Sequence, residues 1–449
     1  MKKKWRWPLA GFVLGALVGA TVLTVNVVGA SSPERADVRA GGFGEILHTP
    51  VLLARAGEPV ELSYDLVCGA LKDEPTAHCS PSGSVYVRPA GDSTFSRLPL
   101  EREADGLLSA VVPASAARAG LHYYVVMENG RGGTATLPEA GAAAPQHVWA
   151  LNDWATVDVG AARFGRFRAP SSVVQGFAWG RGDAAIGLDS GREQSRIGPS
   201  AFDVAPDGSV VVLDQVNHRL VVLRSGAEPA HISIDFSGGE GDLAVGGDGT
   251  IYVLDSSAKP LLRAFTAAGA PIAAARLAER TADMVRVGPS GPLVHSYPSE
   301  MWLPTGAARP PFAPGRQLAS AQSARSVRGG LGVVVHASPS EVKLALVRGD
   351  HVEHAWMLRG ETSFGEVQLA EPYGNGMVVV LRLWNEKHAV FRVLRLAPEG
   401  IAQSFDVAPA EWAESASLSR FRLHGSTLYQ LRSDPAGIAI AEFEIGGTT

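Results

Sequence analysis

The chain is poor in several residue types and motifs, and each shortage removes a class of function. Only two cysteines occur in 449 residues, Cys68 and Cys79, too few for a cysteine-rich disulfide scaffold. Basic excess is missing: Lys+Arg 40 against Asp+Glu 45 gives a formal net charge of −5. That balance leaves no electrostatic footprint for nucleic acid, and no nucleic-acid partner is expected. Charge of either sign is modest, with charged residues at 19%. The sequence has no nucleotide-binding Gly-rich loop, no Gly-x-Ser-x-Gly elbow and no His-Glu-x-x-His pair, and these absences weigh against an enzyme. What is present suits a turn-rich β protein, with 51 glycines, 29 prolines and hydrophobic residues at 46%. The length allows two or three domains with sizeable cores.

Residues 1–30 form a targeting segment. Lys2-Lys-Lys-Trp-Arg6 is a positive n-region, followed without a charge by the apolar run Leu9 to Val28. Roughly 20 apolar residues can span a bilayer, while Val28-Gly29-Ala30 fits a small-residue cleavage site. The segment is therefore a signal peptide or a signal anchor. Either way the bulk of the chain is expected to be exported: secreted, periplasmic, or anchored on the outer side of the cytoplasmic membrane. In that compartment Cys68 and Cys79 are most simply a disulfide, against two free thiols or half a metal site with His78. Closing so short a loop would stabilise the fold by about 2–3 kcal/mol in the chain-entropy model.

Residues 31–45 are small and polar and read as a linker. From 46 to 137 short alternating runs bounded by Gly and Pro, such as Val60 to Val67, Ser84 to Arg88 and Leu121 to Met127, predict a small β-sandwich. The pattern resembles bacterial immunoglobulin-like or fibronectin-type modules, which implies a spacer or recognition role, although the inter-sheet Cys–Trp–Cys arrangement is missing. Residues 138–171 read as a linker and interdomain segment whose Trp149 and Trp154 pack a joint.

From 172 to 449 a repeat governs the chain. Asp207-Gly208 and Val210-Val-Val-Leu-Asp214 return 41 residues later as Asp248-Gly249 and Ile251-Tyr-Val-Leu-Asp255. Turn glycines continue at Gly291, Gly332, Gly376 and Gly425. A strand-only repeat of about 40 residues predicts propeller blades, because a single blade cannot bury both of its faces. The spacing gives six blades, with Gln175 to Gly180 placed to supply the strand that closes the ring. The stretch from Phe202 to Leu220, with Asn217-His218 before Leu220, resembles the repeat of the NHL-type β-propellers. The fold class expected is all-β: a small N-terminal immunoglobulin-like sandwich followed by a six-bladed NHL-like propeller. Asn217 and His218 are expected to act structurally, in a turn.

The resemblance also implies where chemistry could sit, since neighbouring six-bladed propellers include hydrolases and lyases with a metal on the channel axis. Residues recurring near the end of each blade's second strand are therefore the candidate ligands: Asp214, Asp255, His295 and His336, the two histidines 41 apart. No cofactor is predicted outright; calcium or zinc is what such a set would take. His351-Val-Glu-His354 has ligand-like spacing but lies in a hairpin strand, where residues three apart face opposite sides. Arg181-Gly-Asp183 is a tripeptide common by chance. The leading expectation is an exported or membrane-anchored binding protein of the cell envelope, taking a protein or glycan partner. The alternative is a metal-dependent propeller hydrolase or lyase at the central channel.

Overall fold

The structure is a computed structural model, and it describes residues 34–35, 45–67, 81–104, 106–130, 133–191, 195–236, 241–257, 259–277, 282–296, 300–304, 322–414 and 419–446. Cys68, Cys79 and the targeting segment 1–30 lie outside the described residues. Among the described residues there is no α-helix, and the strands form eight sheets.

Two sheets make the N-terminal unit. One runs Glu34–Arg35, Glu45–His48, Val60–Val67, Leu108–Val112, Glu101–Arg102; the other runs Leu53–Arg55, Gln146–Leu151, Leu121–Glu128, Ser82–Pro89, Ser96–Pro99, with Thr134–Leu137 beside Leu121–Glu128. Alternation in Leu121–Glu128 buries Leu121, Tyr123, Val125 and Met127 against Leu62, Tyr64 and Val112 of the facing sheet. Residues 138–171, which the sequence presents as a connector, hold two strands of their own. Gln146–Leu151 completes the second sandwich sheet, and Ala155–Asp158 pairs in parallel with His351–Arg359 on the other unit.

The remaining six sheets form the propeller ring. Sheets I and II are four-stranded meanders, Ala201–Ser233 and Gly241–Arg276. Sheet III has three described strands between Ala282 and Pro304. Sheet IV runs from Arg325 to Arg359 and gains Ala155–Asp158 at its outer edge; sheet V runs from Ser363 to Val407. Sheet VI joins Phe421–His424, Thr427–Asp434 and Gly437–Glu444 to Ser172–Trp179 and Ala185–Ile186.

The repeating turns show why the spacing was readable. In sheet I the Ser209 amide donates to Asp207 Oδ1 at 3.0 Å, and in sheet II Thr250 does the same to Asp248 Oδ1 at 3.0 Å. Gly208 and Gly249 take φ of 81° and 80°, the left-handed conformation that L side chains resist. All six repeating glycines sit in, or directly after, the hairpin joining the first strand of a sheet to its second. Apolar residues on both faces of the sheets then fill the gaps between them, with Val210, Val212 and Val221 of sheet I facing Leu431 and Ile440 of sheet VI. The opposite face of sheet I, through Leu213 and Leu220, meets Leu243 and Val253 of sheet II.

Ring closure comes from Ser172–Trp179, antiparallel to Gly437–Glu444. Phe177 and Ile186 join the core between sheets VI and I. The backbones approach so closely there that a Cβ at Gly437 would run into the Phe177 carbonyl oxygen. Upstream of this strand the connector is pinned by Arg392, which holds Asp406 at 2.5 and 2.9 Å and donates to the carbonyls of Val159 and Ala161. The sandwich docks on sheet IV: Leu52, Leu53, Trp149 and Leu151 share one apolar core with Ala324, Val334, Ala345 and Val347.

Two substitutions test the closure. Phe177→Ala is expected to cost about 3–5 kcal/mol, as for a buried aromatic. Gly437→Ala should lower the urea midpoint and speed proteolysis near residue 172, because its Cβ has no room; an unchanged midpoint in both variants would contradict the closure.

Candidate functional site

The first strand of each sheet carries charged residues toward the middle of the ring, Asp242 and Arg422 buried and Asp203, Arg286, Arg325 and Glu371 half-buried. Contacts between sheets that are not neighbours show that these side chains meet across the centre. Asp242 of sheet II lies 2.6 Å from Arg286 Nη1 of sheet III and 3.4 Å from Arg422 Nη2 of sheet VI. Ser419 Oγ donates to Asp242, and Arg422 also reaches Asp203 of sheet I at 3.3 Å. Each aspartate further accepts a backbone N–H of the next sheet: Val245 to Asp203 at 2.8 Å, Val285 to Asp242 at 2.9 Å. Arg325 pairs with Glu371 at 2.9 Å, and Glu411 takes Arg382 at 3.2 Å and Arg420 at 3.4 Å.

Burial alone would raise Asp242, yet Arg286, Arg422, Ser419 and the Val285 amide together hold it below the usual carboxylate range. Asp203 goes the other way: burial lifts it in spite of Arg422. Glu366, on the inner strand of sheet V, is pushed up to about 7 by burial, with Glu411 adding to the effect against the pull of Arg382. It accepts a hydrogen bond from Gln368 Nε2. This ring was encoded but not recognised: Asp203, Arg286, Glu371 and Arg420 stand five residues before a turn glycine, and Asp242 and Arg325 seven before one. A charge five or seven residues before the turn glycine, in or beside an apolar strand, is the signal that finds them.

The sequence-predicted ligands lie elsewhere, each satisfied within its own surroundings. Asp214 is fully buried and accepts hydrogen bonds from the Gly187 amide at 3.0 Å, Asn217 Nδ2 at 2.8 Å and Arg219 Nε at 2.9 Å. Asn217 and His218 thus belong to a turn, with His218 in the left-handed region and its Nδ1 3.0 Å from the Phe236 carbonyl. Asp255 caps the Ser257 amide at 3.2 Å and faces Arg263 at 3.7 Å. His295 sits between Asp283 at 2.8 Å and Glu300 at 3.3 Å; burial opposes its charge, but these two carboxylates raise it to about 10. His336 contacts the Pro50 backbone of the sandwich and is lowered to about 4 by burial and Lys343. Among the described residues no three of these four come together around one point. The group that does so is His122, His147 and Asp350, at the seam between the two units.

That seam also opens into a cleft of about 410 Å³, lined by Val51, Leu53, Arg55, Glu58, Trp154 and Lys343 among others. Arg55 lies 5.2 Å and Lys343 5.5 Å from the Trp154 ring centre. Trp154 belongs to the joint, as does Trp149, whose Nε1 donates to the Gly349 carbonyl at 2.9 Å.

The titrations have definite signs. Because folding raises His295 from 6.5 to about 10, its contribution is complete below pH 6.5 and lost as pH climbs through 10; urea midpoints of His295→Gln should lack that alkaline decline. Glu366 behaves oppositely. Its folded value near 7 against 4.5 in the unfolded chain costs stability above pH 7, so Glu366→Gln should be more stable than wild type at pH 8 by on the order of 2 kcal/mol and equal to it near pH 4. Equal midpoints at pH 8 would contradict the assignment.

No protein-family model and no curated protein matches the chain. Solved structures similar to it include a streptogramin B lyase, 10% identical over 54% of this chain and 92% of that one, TM-score 0.32. Another is the PQQ-bound aldose sugar dehydrogenase from Streptomyces coelicolor, 12% identical over 62% and 99%, TM-score 0.34. A third is the Dos1 propeller, 10% identical over 57% and 81%, TM-score 0.32. The strand order above makes this chain an all-β propeller protein.

Proposed function

We propose that the protein is an exported or membrane-anchored binding protein of the cell envelope, which uses its propeller and attached immunoglobulin-like sandwich as a rigid scaffold for a protein or glycan partner. The observation that carries this reading is the ion pairing at the centre of the ring, where Asp203, Asp242, Glu371 and Glu411 pair with Arg286, Arg325, Arg382, Arg420 and Arg422. A concave surface lies at the seam, where an amphipathic tryptophan is flanked by two cations. Aromatic and arginine side chains at such a place suit recognition of a polar partner. The positive n-region and apolar run of residues 1–30 support export. The Asn217-His218 turn supports kinship with NHL-type repeats.

A second reading, a hydrolase or lyase working at the channel, is favoured by Glu366 alone, a buried carboxyl brought close to neutrality in pH and therefore suited to proton transfer.

One experiment separates them. Full-length protein in detergent would be applied to glycan arrays and to cross-linking with envelope extracts, and assayed in parallel on ester, lactone and streptogramin substrates. Binding that weakens at least tenfold in Trp154→Ala, with the variant still folded and no turnover, is the expected result. Turnover abolished by Glu366→Gln and indifferent to Trp154→Ala would replace the binding reading with the enzymatic one.

A further inference from the structure

We propose that His122, His147 and Asp350 hold a divalent transition ion of the zinc class, which clamps the sandwich to the propeller. The site is independent of whatever the cleft binds.

Two ligands come from the sandwich and one from the ring. His122 and His147 are direct cross-strand partners in the second sandwich sheet, and their rings stack at 4.4 Å with 24° between the planes. Asp350 lies in the turn between the sheet IV strands Glu341–Arg348 and His351–Arg359. One ligand atom from each residue lies within 4.8 Å of the other two, and His147 Nδ1 is 3.8 Å from Asp350 Oδ1. Ligands around a tetrahedral zinc stand about 3.3 Å apart. Asp350 has to close from 3.8 Å toward that spacing, and its side chain, 65% exposed, has room to move.

The surroundings prepare the site. His147 packs on Trp149 at 3.9 Å, and its backbone amide donates to Ser323 Oγ of the propeller at 3.0 Å. Trp149 in turn holds the Gly349 carbonyl, so the residue preceding Asp350 is tied to the strand that carries His147. Ligand orientation is thus set by neighbours before any ion arrives. His122 Nδ1 is buried without a hydrogen-bond partner, and such an atom is costly unless something binds it. Arg88 opposes a cation, but its guanidinium is drawn over the Phe95 ring at 4.7 Å, and the Asp350 carboxylate offsets it. Two imidazoles and one carboxylate favour zinc and its neighbours over calcium or magnesium, which prefer all-oxygen sites. A fourth position is left to water.

The test uses tag-free full-length protein, stripped with chelator and titrated with zinc(II), cobalt(II) and magnesium(II). Wild type should take up one zinc per chain, with a rise in thermal midpoint that magnesium does not give, and cobalt should produce visible d–d absorption. His122→Gln and Asp350→Asn should bind zinc at least tenfold more weakly and lose the cobalt bands, while their metal-free midpoints stay at the wild-type value. If His122→Gln fails to fold, the exposed Asp350→Asn decides alone. Absence of zinc uptake by folded wild type, or equal affinity in wild type and Asp350→Asn, would overturn the site.

Discussion

The arrangement depends on one ladder of hydrogen bonds, that between Ser172–Trp179 and Gly437–Glu444. A ring of sheets left open would expose unpaired strand edges and the apolar faces of sheets VI and I. Pairing chain from before the first sheet with the last strand removes both exposures, and it fixes the path of everything upstream. The connector must run from sheet IV past sheet V to reach sheet VI, and Arg392 with Asp406 fastens it midway. With Ala155–Asp158 held on sheet IV, Gln146–Leu151 and the rest of the sandwich are brought against that sheet. The cleft at Trp154 and the His122, His147, Asp350 group both follow from this placement.

The charged centre of the ring has a different physical meaning. Ion pairs taken out of water gain little net stability, since desolvation offsets most of their attraction. Removing one partner is another matter, for it leaves a buried charge exposed to a low-dielectric interior. Asp242 shows the principle: four separate contacts hold its carboxylate ionised where burial alone would neutralise it. Glu366 shows the contrary case, with less compensation and a proton retained to near pH 7. The network therefore acts chiefly to set how the six inner strands meet.

The propeller was legible because its signals are local. An Asp-Gly turn, a run of Val and Leu, and a recurring glycine each express a backbone need within a few residues, and the structure repeats the same turn geometry in sheets I and II. Even the closing strand could be placed, because an edge must be covered. The sites were less legible. Asp214 and Asp255 stand six residues after a turn glycine and His295 and His336 four, but place in the repeat does not fix what meets a side chain; Arg219, Arg263, Asp283 and the Pro50 backbone are the partners they find. His122, His147 and Asp350 come from strands and a turn separated by up to 228 positions. Their meeting depends on docking of two units, which no periodicity reports.

The parallel pairing of Ala155–Asp158 with His351–Arg359 also settles how the molecule bears force. Tension carried by the chain from the sandwich reaches the ring at this short strand. A pull along the strand axis shears its hydrogen bonds together rather than peeling them one after another, and Arg392 clamps the chain just beyond. The closing strand lies downstream of both restraints. A pull at the front of the chain is absorbed at sheet IV, and the ring stays shut behind it.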